Sequence, residues 1–394
     1  MSSIDFRAEV DKLRDEMVAM RRDLHMHPET AFEEVRTAGI VAEKLTQLGL
    51  EVQTGIGKTG VVAVLDGAAD GPTVLVRADM DALPINEANT TDYISGTANK
   101  MHACGHDGHT AIGLAVAKML TAHKDAIKGR VKFVFQPAEE VGQGALAMIQ
   151  DGALENPKPD VSVGLHLWNT LPLGDLGVAD GPTMAGSSTW NATLTGKGSH
   201  GAAPHEGLDP VVAAAHVVTA LQSIVARNVN PEDTAVVSVT QIHTGDTHNV
   251  IPQVAYLEGT MRAFKVEVRD LVTKRMGEII NGIAAAMGCE ATFQIDHRTI
   301  PLVNHPDVGA RLRPAFEKIE GVKRLDTDAR TMGGEDMAFF MDTVPGMYFF
   351  VGSANEGRGL NYGHHHPRFD FDEDALPLGA ALLATAVAEY VIPE

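Results

Sequence analysis

Cysteine and positive charge are both in short supply in this sequence. Only Cys104 and Cys289 occur in 394 residues, which excludes a disulfide framework. Cys289 lies in the apolar stretch Ala286-Met287-Gly288-Cys289 and reads as a small core residue. Cys104 has histidines for neighbours and needs another account. Lys and Arg number 32 against 52 Asp and Glu, a net charge of −20. Such a surface repels phosphate backbones, so no nucleic-acid partner is expected. A small acidic substrate would need a local cation. No apolar run approaches the ~20 residues of a membrane span, so no membrane partner is expected. Met1 to Glu16 is charged almost throughout and lacks the apolar centre of a secretory signal; a cytoplasmic location is expected. What remains is an ordinary globular balance, 44% hydrophobic and 21% charged, in a chain long enough for two domains.

The N-terminal part alternates helix and strand patterns. Leu13, Met17, Met20 and Leu24 share one helical face, as do Val41, Leu45 and Leu48. Ile112, Val116 and Met119 mark a third helix. Residues 61–65, 73–76, 130–135 and 161–165 read as strands. Strands recurring between helices predict an α/β domain, a mostly parallel sheet with helices on both faces. From 188 the order becomes strand, helix (210–227), strand, strand, helix (267–287), strand, a β-α-β-β-α-β succession that predicts a ferredoxin-like α+β unit. The expected domains are 1–185 with 298–394, the metal-binding catalytic part, and 186–297, an inserted lid and dimerisation domain.

Groups able to hold metals cluster at predicted strand ends, where open α/β sheets bind ligands. Residues 74–76 run into Asp79-Met80-Asp81, residues 130–135 into Gln136-Pro137-Ala138-Glu139-Glu140, and residues 161–165 into His166. Residues 347–351 precede His364-His365-His366. Met101-His102-Ala103-Cys104-Gly105-His106-Asp107-Gly108-His109 stands before a helix. A lone histidine, an Asp-x-Asp or a Glu-Glu pair is usually structural; a thiolate and an imidazole one residue apart suit borderline metals. That many donors is better explained by two ions than by one, and a shared nucleophile between paired ions is a standard hydrolytic arrangement. Of two adjacent glutamates, one can then be a ligand and the other a free base.

Six motifs stand in order: Arg77-Ala78-Asp79-Met80-Asp81-Ala82-Leu83-Pro84, His102 to His109, Gln136 to Glu140, Gly196-Lys197-Gly198-Ser199-His200-Gly201-Ala202, Asn249-Val250-Ile251-Pro252, and Met332-Gly333-Gly334-Glu335-Asp336. Together they resemble the M20 metallopeptidase family in its amidohydrolase branch, which includes hippurate hydrolases, N-acyl-L-amino-acid amidohydrolases and auxin-conjugate hydrolases. The resemblance covers essentially the whole chain. It implies two divalent ions (Zn, Mn, Co or Ni) bridged by Cys104, with His106, Glu140, His166 and His365 completing their coordination. His365 is preferred because the branch places its ligand two residues before proline, here Pro367; His364 and His366 are the fallback. Glu139 would be the general base and later the acid. His200 and Asn249 would stabilise the oxyanion. Many members carry His-x-Asp where this chain has Asp79-Met80-Asp81, so Asp79 and Asp81 are assigned to supporting positions, with Asp107, His102 and His109.

The expected reaction is hydrolysis of an N-acyl amino acid to a carboxylic acid and a free amino acid. Arg262 and the backbone around Gly333 and Gly334 are candidates to hold the substrate carboxylate. A homodimer, or dimer of dimers, through the lid is the family expectation. Rival readings are a dipeptidase, an N-acetyldiaminopimelate deacetylase, or a metal-dependent binding protein without catalysis.

Overall fold

The computed structural model describes residues 4–392. Residues 1–3 and 393–394, part of the expected catalytic segments, lie outside the described residues. Two compact units emerge: residues 1–183 with 303–330 and 336–394, and residues 184–302 with 331–335. The sequence reading runs the catalytic segment unbroken from 298. In the structure, Thr331 to Glu335 joins the second unit, where Thr331 bridges Met184 and the Ala185 amide donates to the Gly333 carbonyl at 2.9 Å.

The first unit is built on an eight-stranded sheet in the order Glu51–Ile56, Gly60–Asp66, Lys128–Gln136, Ala69–Asp79, Val161–Pro172, Gly346–Ala354, Asp175–Gly177, Arg324–Asp326. Its centre is parallel: Lys128–Gln136 with Ala69–Asp79, that strand with Val161–Pro172, and that with Gly346–Ala354. The first two strands are antiparallel additions, and Asp175–Gly177 runs antiparallel to Gly346–Ala354. Central strands are buried at successive positions, such as Thr73 to Asp79 and Gly346 to Ser353. That is the signature of a sheet covered on both faces, and it explains why these segments read as β-branched and apolar runs rather than as alternation. The helix His106–Ala122 is buried along nearly its whole length, as is the closing helix Ala375–Val391.

In the second unit the strands Gly186–Thr195, Ala235–Thr244, Val254–Ala263 and Glu290–His297 form an antiparallel sheet, ordered second, third, first, fourth. Val254–Ala263 alternates strictly, with Ala255, Leu257, Met261 and Ala263 buried. The helices Pro210–Arg227 and Val266–Ala286 complete its core with Val217, Leu221, Ile224, Val272, Met276 and Ile280. Cys289 belongs to this core, as its apolar surroundings predicted. Pro210–Arg227 starts on Asp209, whose carboxylate accepts from the Val211 amide, with proline in the first turn. Among the described residues it is the one helix long and apolar enough to cross a membrane by length and composition alone. Its inward face accounts for part of that composition.

Candidate metal centre

Parallel register sets the first donors side by side. Asp79 pairs with Gln136 across the sheet, and Arg77 with Gly164, two residues before His166. His166 was expected at a strand end, but the strand runs on to Pro172, so His166 is held within it, opposite Phe350. The turn into the next donors needs glycine. Gly105 has φ +94° and stands between Cys104 and the helix that begins at His106. Gly144 closes the loop after the glutamates, and a Cβ there would lie 1.6 Å from the Pro137 carbonyl.

Cys104 Sγ lies 3.5 Å from His166 Nε2. His166 Nδ1 donates to the Leu167 carbonyl at 2.7 Å, which turns the Nε2 lone pair towards the thiol. Donor atoms of Cys104, His106 and His166 lie within 4.8 Å of one another; so do those of Cys104, Glu140 and His365, and those of His106, Glu139 and Glu140. His106 Nε2 and Glu140 Oε1 are buried with no hydrogen-bond partner. His365 Nε2 is 3.2 Å from the other Glu140 oxygen, and this bond raises its pKa. The neighbouring histidines are otherwise engaged. His364 Nε2 bonds the Leu167 carbonyl at 2.9 Å, and its ring stacks on Trp168. His366 stacks on Tyr362 and accepts from the Arg368 amide.

The predicted supporting residues surround these donors. Asp81 accepts the amides of Glu139 and Glu140, one on each oxygen, at 3.0 Å, and its backbone carbonyl takes His106 Nδ1 at 2.9 Å. Asp79 bonds His109 Nδ1 at 2.6 Å and Arg77 at 2.5 Å. Burial alone would push the Asp79 carboxyl up; Arg77, His106 and His109 hold it well below the carboxylate range. Asp107 accepts from Arg21 at 2.9 Å and meets His25 at 2.8 Å, all three buried. Both ring nitrogens of buried His102 lack partners, and burial pushes its pKa down to about 4.

Several contributors had no assigned role in the sequence. Arg77 also reaches Gln136 and Asp336, and Asp336 accepts from Gln136 and the Ala145 amide. Arg21 and His25 sit on the buried side of the helix Arg14–Met26 with Met17 and Leu24. Charged residues on the apolar face of an amphipathic helix were the available signal for them.

The donor set fits a cation. Burial pushes the Cys104 thiol well up, and Glu140, Glu139 and Asp79 push it further. Burial works against a proton on His106, yet Asp79, Asp81 and Glu140 raise it to about 10. A thiol, three imidazoles and two carboxylates turned inward, with orphaned nitrogen and oxygen atoms among them, are a donor set that a cation completes.

Of the other predicted residues, His200, Asn249, Arg262, Gly333 and Gly334 belong to the second unit. His200 pairs with Val250 in the short antiparallel pair Ser199–His200 and Val250–Ile251, and Asn249 immediately precedes the second strand. His200 Nδ1 accepts from the Ala202 amide at 3.0 Å, which makes Nε2 the donor. The Arg262 guanidinium bonds the Ser188 carbonyl and the Thr260 hydroxyl.

A buried thiol–imidazole–carboxylate cluster on a parallel sheet suits a metal-dependent hydrolase. The chain belongs to the peptidase family M20/M25/M40, whose model matches residues 75–389. It is 38% identical over 364 residues to the N-acetyl-L-cysteine deacetylase of Bacillus subtilis, covering 92% of this chain and 85% of that protein. It is 38% identical over 384 residues to thermostable carboxypeptidase 2 of Saccharolobus solfataricus, covering 95% and 96%. Among solved structures, the Bacillus subtilis YXEP protein, a dinuclear metal binding peptidase from the M20 family, superposes with a TM-score of 0.82 at 34% identity, covering 96% and 99%. The protein is accordingly a metal-dependent amidohydrolase.

Proposed function

We propose that the protein hydrolyses N-acyl amino acids, hippurate-like or N-acetylated, to a carboxylic acid and a free amino acid. The observation that carries this reading is the pair Glu139 and Glu140, adjacent in sequence and both within 4.0 Å of His106 Nε2. A site that only bound a ligand would have no use for a general base beside its ligands. Cys104, His106, Glu140, His166 and His365 would hold two divalent ions. His365 is the member of its run that meets Glu140, while its neighbours bond backbone or stack on aromatic rings. Divalent ions would supply Lewis acidity there, lowering the pKa of the attacking water towards neutrality.

The remaining steps belong to the chain. Glu139 takes the proton from the attacking water and passes it to the leaving nitrogen. Asp81 fixes the backbone of both glutamates, so neither must reorganise during the reaction. His200 Nε2–H and the Asn249 amide group are donors for the oxyanion, worth roughly 3–4 kcal/mol each. Arg262 makes only neutral partners in the second unit, and burial lowers its pKa; it and the Gly333–Gly334 backbone are assigned to the substrate carboxylate. The second unit, with its ferredoxin-like element order, acts as a lid and as the surface of a homodimer. Val211, Val212, Ala215, His216 and Thr219 are exposed along Pro210–Arg227, a helix carrying no acidic residue in a chain of net charge −20. A cytoplasmic location is proposed on the grounds given by the sequence.

A panel of hippurate, N-acetyl amino acids and dipeptides, assayed with Mn, Zn, Co or Ni, tests the reading. Turnover of the acylated amino acids supports it. Turnover of dipeptides alone would favour the peptidase reading, which the similarity to a carboxypeptidase keeps in play.

A further inference from the structure

Three segments distant in sequence converge on one buried carboxylate. Glu34 immediately precedes the helix Val35–Gln47 and is fully buried. Short polar side chains in that place cap their own helix; Glu34 makes no such bond. Its Oε1 accepts instead from the amides of Phe32 and Ala138, each at 2.9 Å, and its Oε2 accepts from the Thr59 hydroxyl. Phe32 and Ala138 both have left-handed backbones, φ +63° and +54°. Lys58, beside Thr59, has φ +78°, and its ammonium lies 3.9 Å above the Phe32 ring. Thus three of the six described non-glycine residues with positive φ gather at this carboxylate.

Ala138 has no feature of its own that favours such a backbone. It bears a Cβ, and it lacks the polar side chain that lets asparagine or aspartate adopt it. Conformations of this kind persist where surroundings over-determine them. Here the turn at Ala138 is where the chain leaves the strand Lys128–Gln136 and delivers Glu139 and Glu140 with their amides on Asp81.

We infer that Glu34 is a positioning residue for the reaction: by holding the Ala138 amide it keeps that turn left-handed and so fixes the Glu139 carboxylate beside His106. The inference rests on the reading of Glu139 as base. Glu34 touches neither substrate nor the reacting atoms. Its effect is transmitted through one backbone amide, which separates it from a residue that merely adds stability. Glycine at 138 adopts positive φ without penalty, so it should bypass the need for the clamp.

The test compares wild type, Glu34→Ala, Glu34→Asp, Glu34→Gln, and Glu34→Ala and Glu34→Asp each combined with Ala138→Gly. Amide hydrogen exchange of residues 136–142 is measured beside kcat and KM. Glu34→Ala and Glu34→Asp are expected to accelerate exchange at 136–142 and lower kcat tenfold or more, with KM within twofold. Ala138→Gly should recover at least threefold in kcat on either background. Glu34→Gln keeps an oxygen acceptor and should stay within threefold of wild type. If Glu34→Ala does not fold, Glu34→Asp, which keeps the charge but falls short of Ala138, carries the comparison. Unchanged exchange at 136–142, or no recovery with Ala138→Gly, overturns the inference. If wild type hydrolyses no N-acyl amino acid or peptide, the functional reading fails, and the exchange pattern alone decides the clamp.

Discussion

His364, His365 and His366 look interchangeable as letters, and only their surroundings separate them. His365 has a left-handed backbone, φ +64°, its amide donates to the Ala103 carbonyl, and its ring faces Glu140. Replacing His365 with Ala should reduce bound metal from two ions per chain towards one, while His366→Ala should keep two; metal analysis after dialysis reads both. Equal loss in the two variants would remove His365 from the ligand set. Asp107 offers a second residue-scale expectation. Burial opposes its ionisation, but Arg21, His25 and His102 hold its pKa well below the ordinary value. The ionised form therefore contributes stability that is present above the unfolded pKa of about 4 and is lost as pH falls from there towards the depressed folded value. In metal-free protein, Tm of wild type should fall more steeply between pH 6 and pH 3 than Tm of Asp107→Asn. Parallel curves would contradict this.

The helix Arg14–Met26 shows how an element far from the motifs serves them. Buried Arg21 bonds Asp107, at the start of the helix His106–Ala122, and also Asp370 and Glu373, in the segment that follows His365. One cation thereby ties both segments that carry proposed ligands to the helix Arg14–Met26. Arg21→Met should cost about 3–5 kcal/mol, because it strands buried carboxylates; a denaturant melt within 1 kcal/mol of wild type, by the same measure, would show the network to be dispensable. Elements of this kind were only partly legible in sequence. The central strands were readable because burial on both faces makes them continuous apolar runs, and the helix 210–227 because Asp209-Pro210 announces its start. The three-residue strands Asp175–Gly177 and Arg324–Asp326 carry too few residues for a period. Arg21 and His25 showed only as charged positions on the apolar face of their helix, and Glu34 not at all, because their partners lie 86, 82 and 104 positions away. The donor motifs were legible because metal chemistry demands particular residue types at fixed places, and the last three motifs only through the resemblance to a family.

At the scale of the whole molecule, two compact units share one chain, and the proposed reaction draws donors from both. The proposed ligands and base belong to the first unit; His200, Asn249 and Arg262 belong to the second. The proposed homodimer predicts that Val211→Glu with Ala215→Glu, placing charge on the uncharged outer face of Pro210–Arg227, shifts the sedimentation coefficient from dimer to monomer. A wild-type monomer would refute the pairing without touching the chemistry. That chemistry depends on a division of labour between neighbouring carboxylates, and hydrolysis by the metal-loaded Glu139→Gln enzyme tests it most directly. With two ions still bound per chain, turnover should drop by about 10²–10⁴-fold, the range typical of a lost general base. Activity close to wild type in that fully loaded variant would contradict the account.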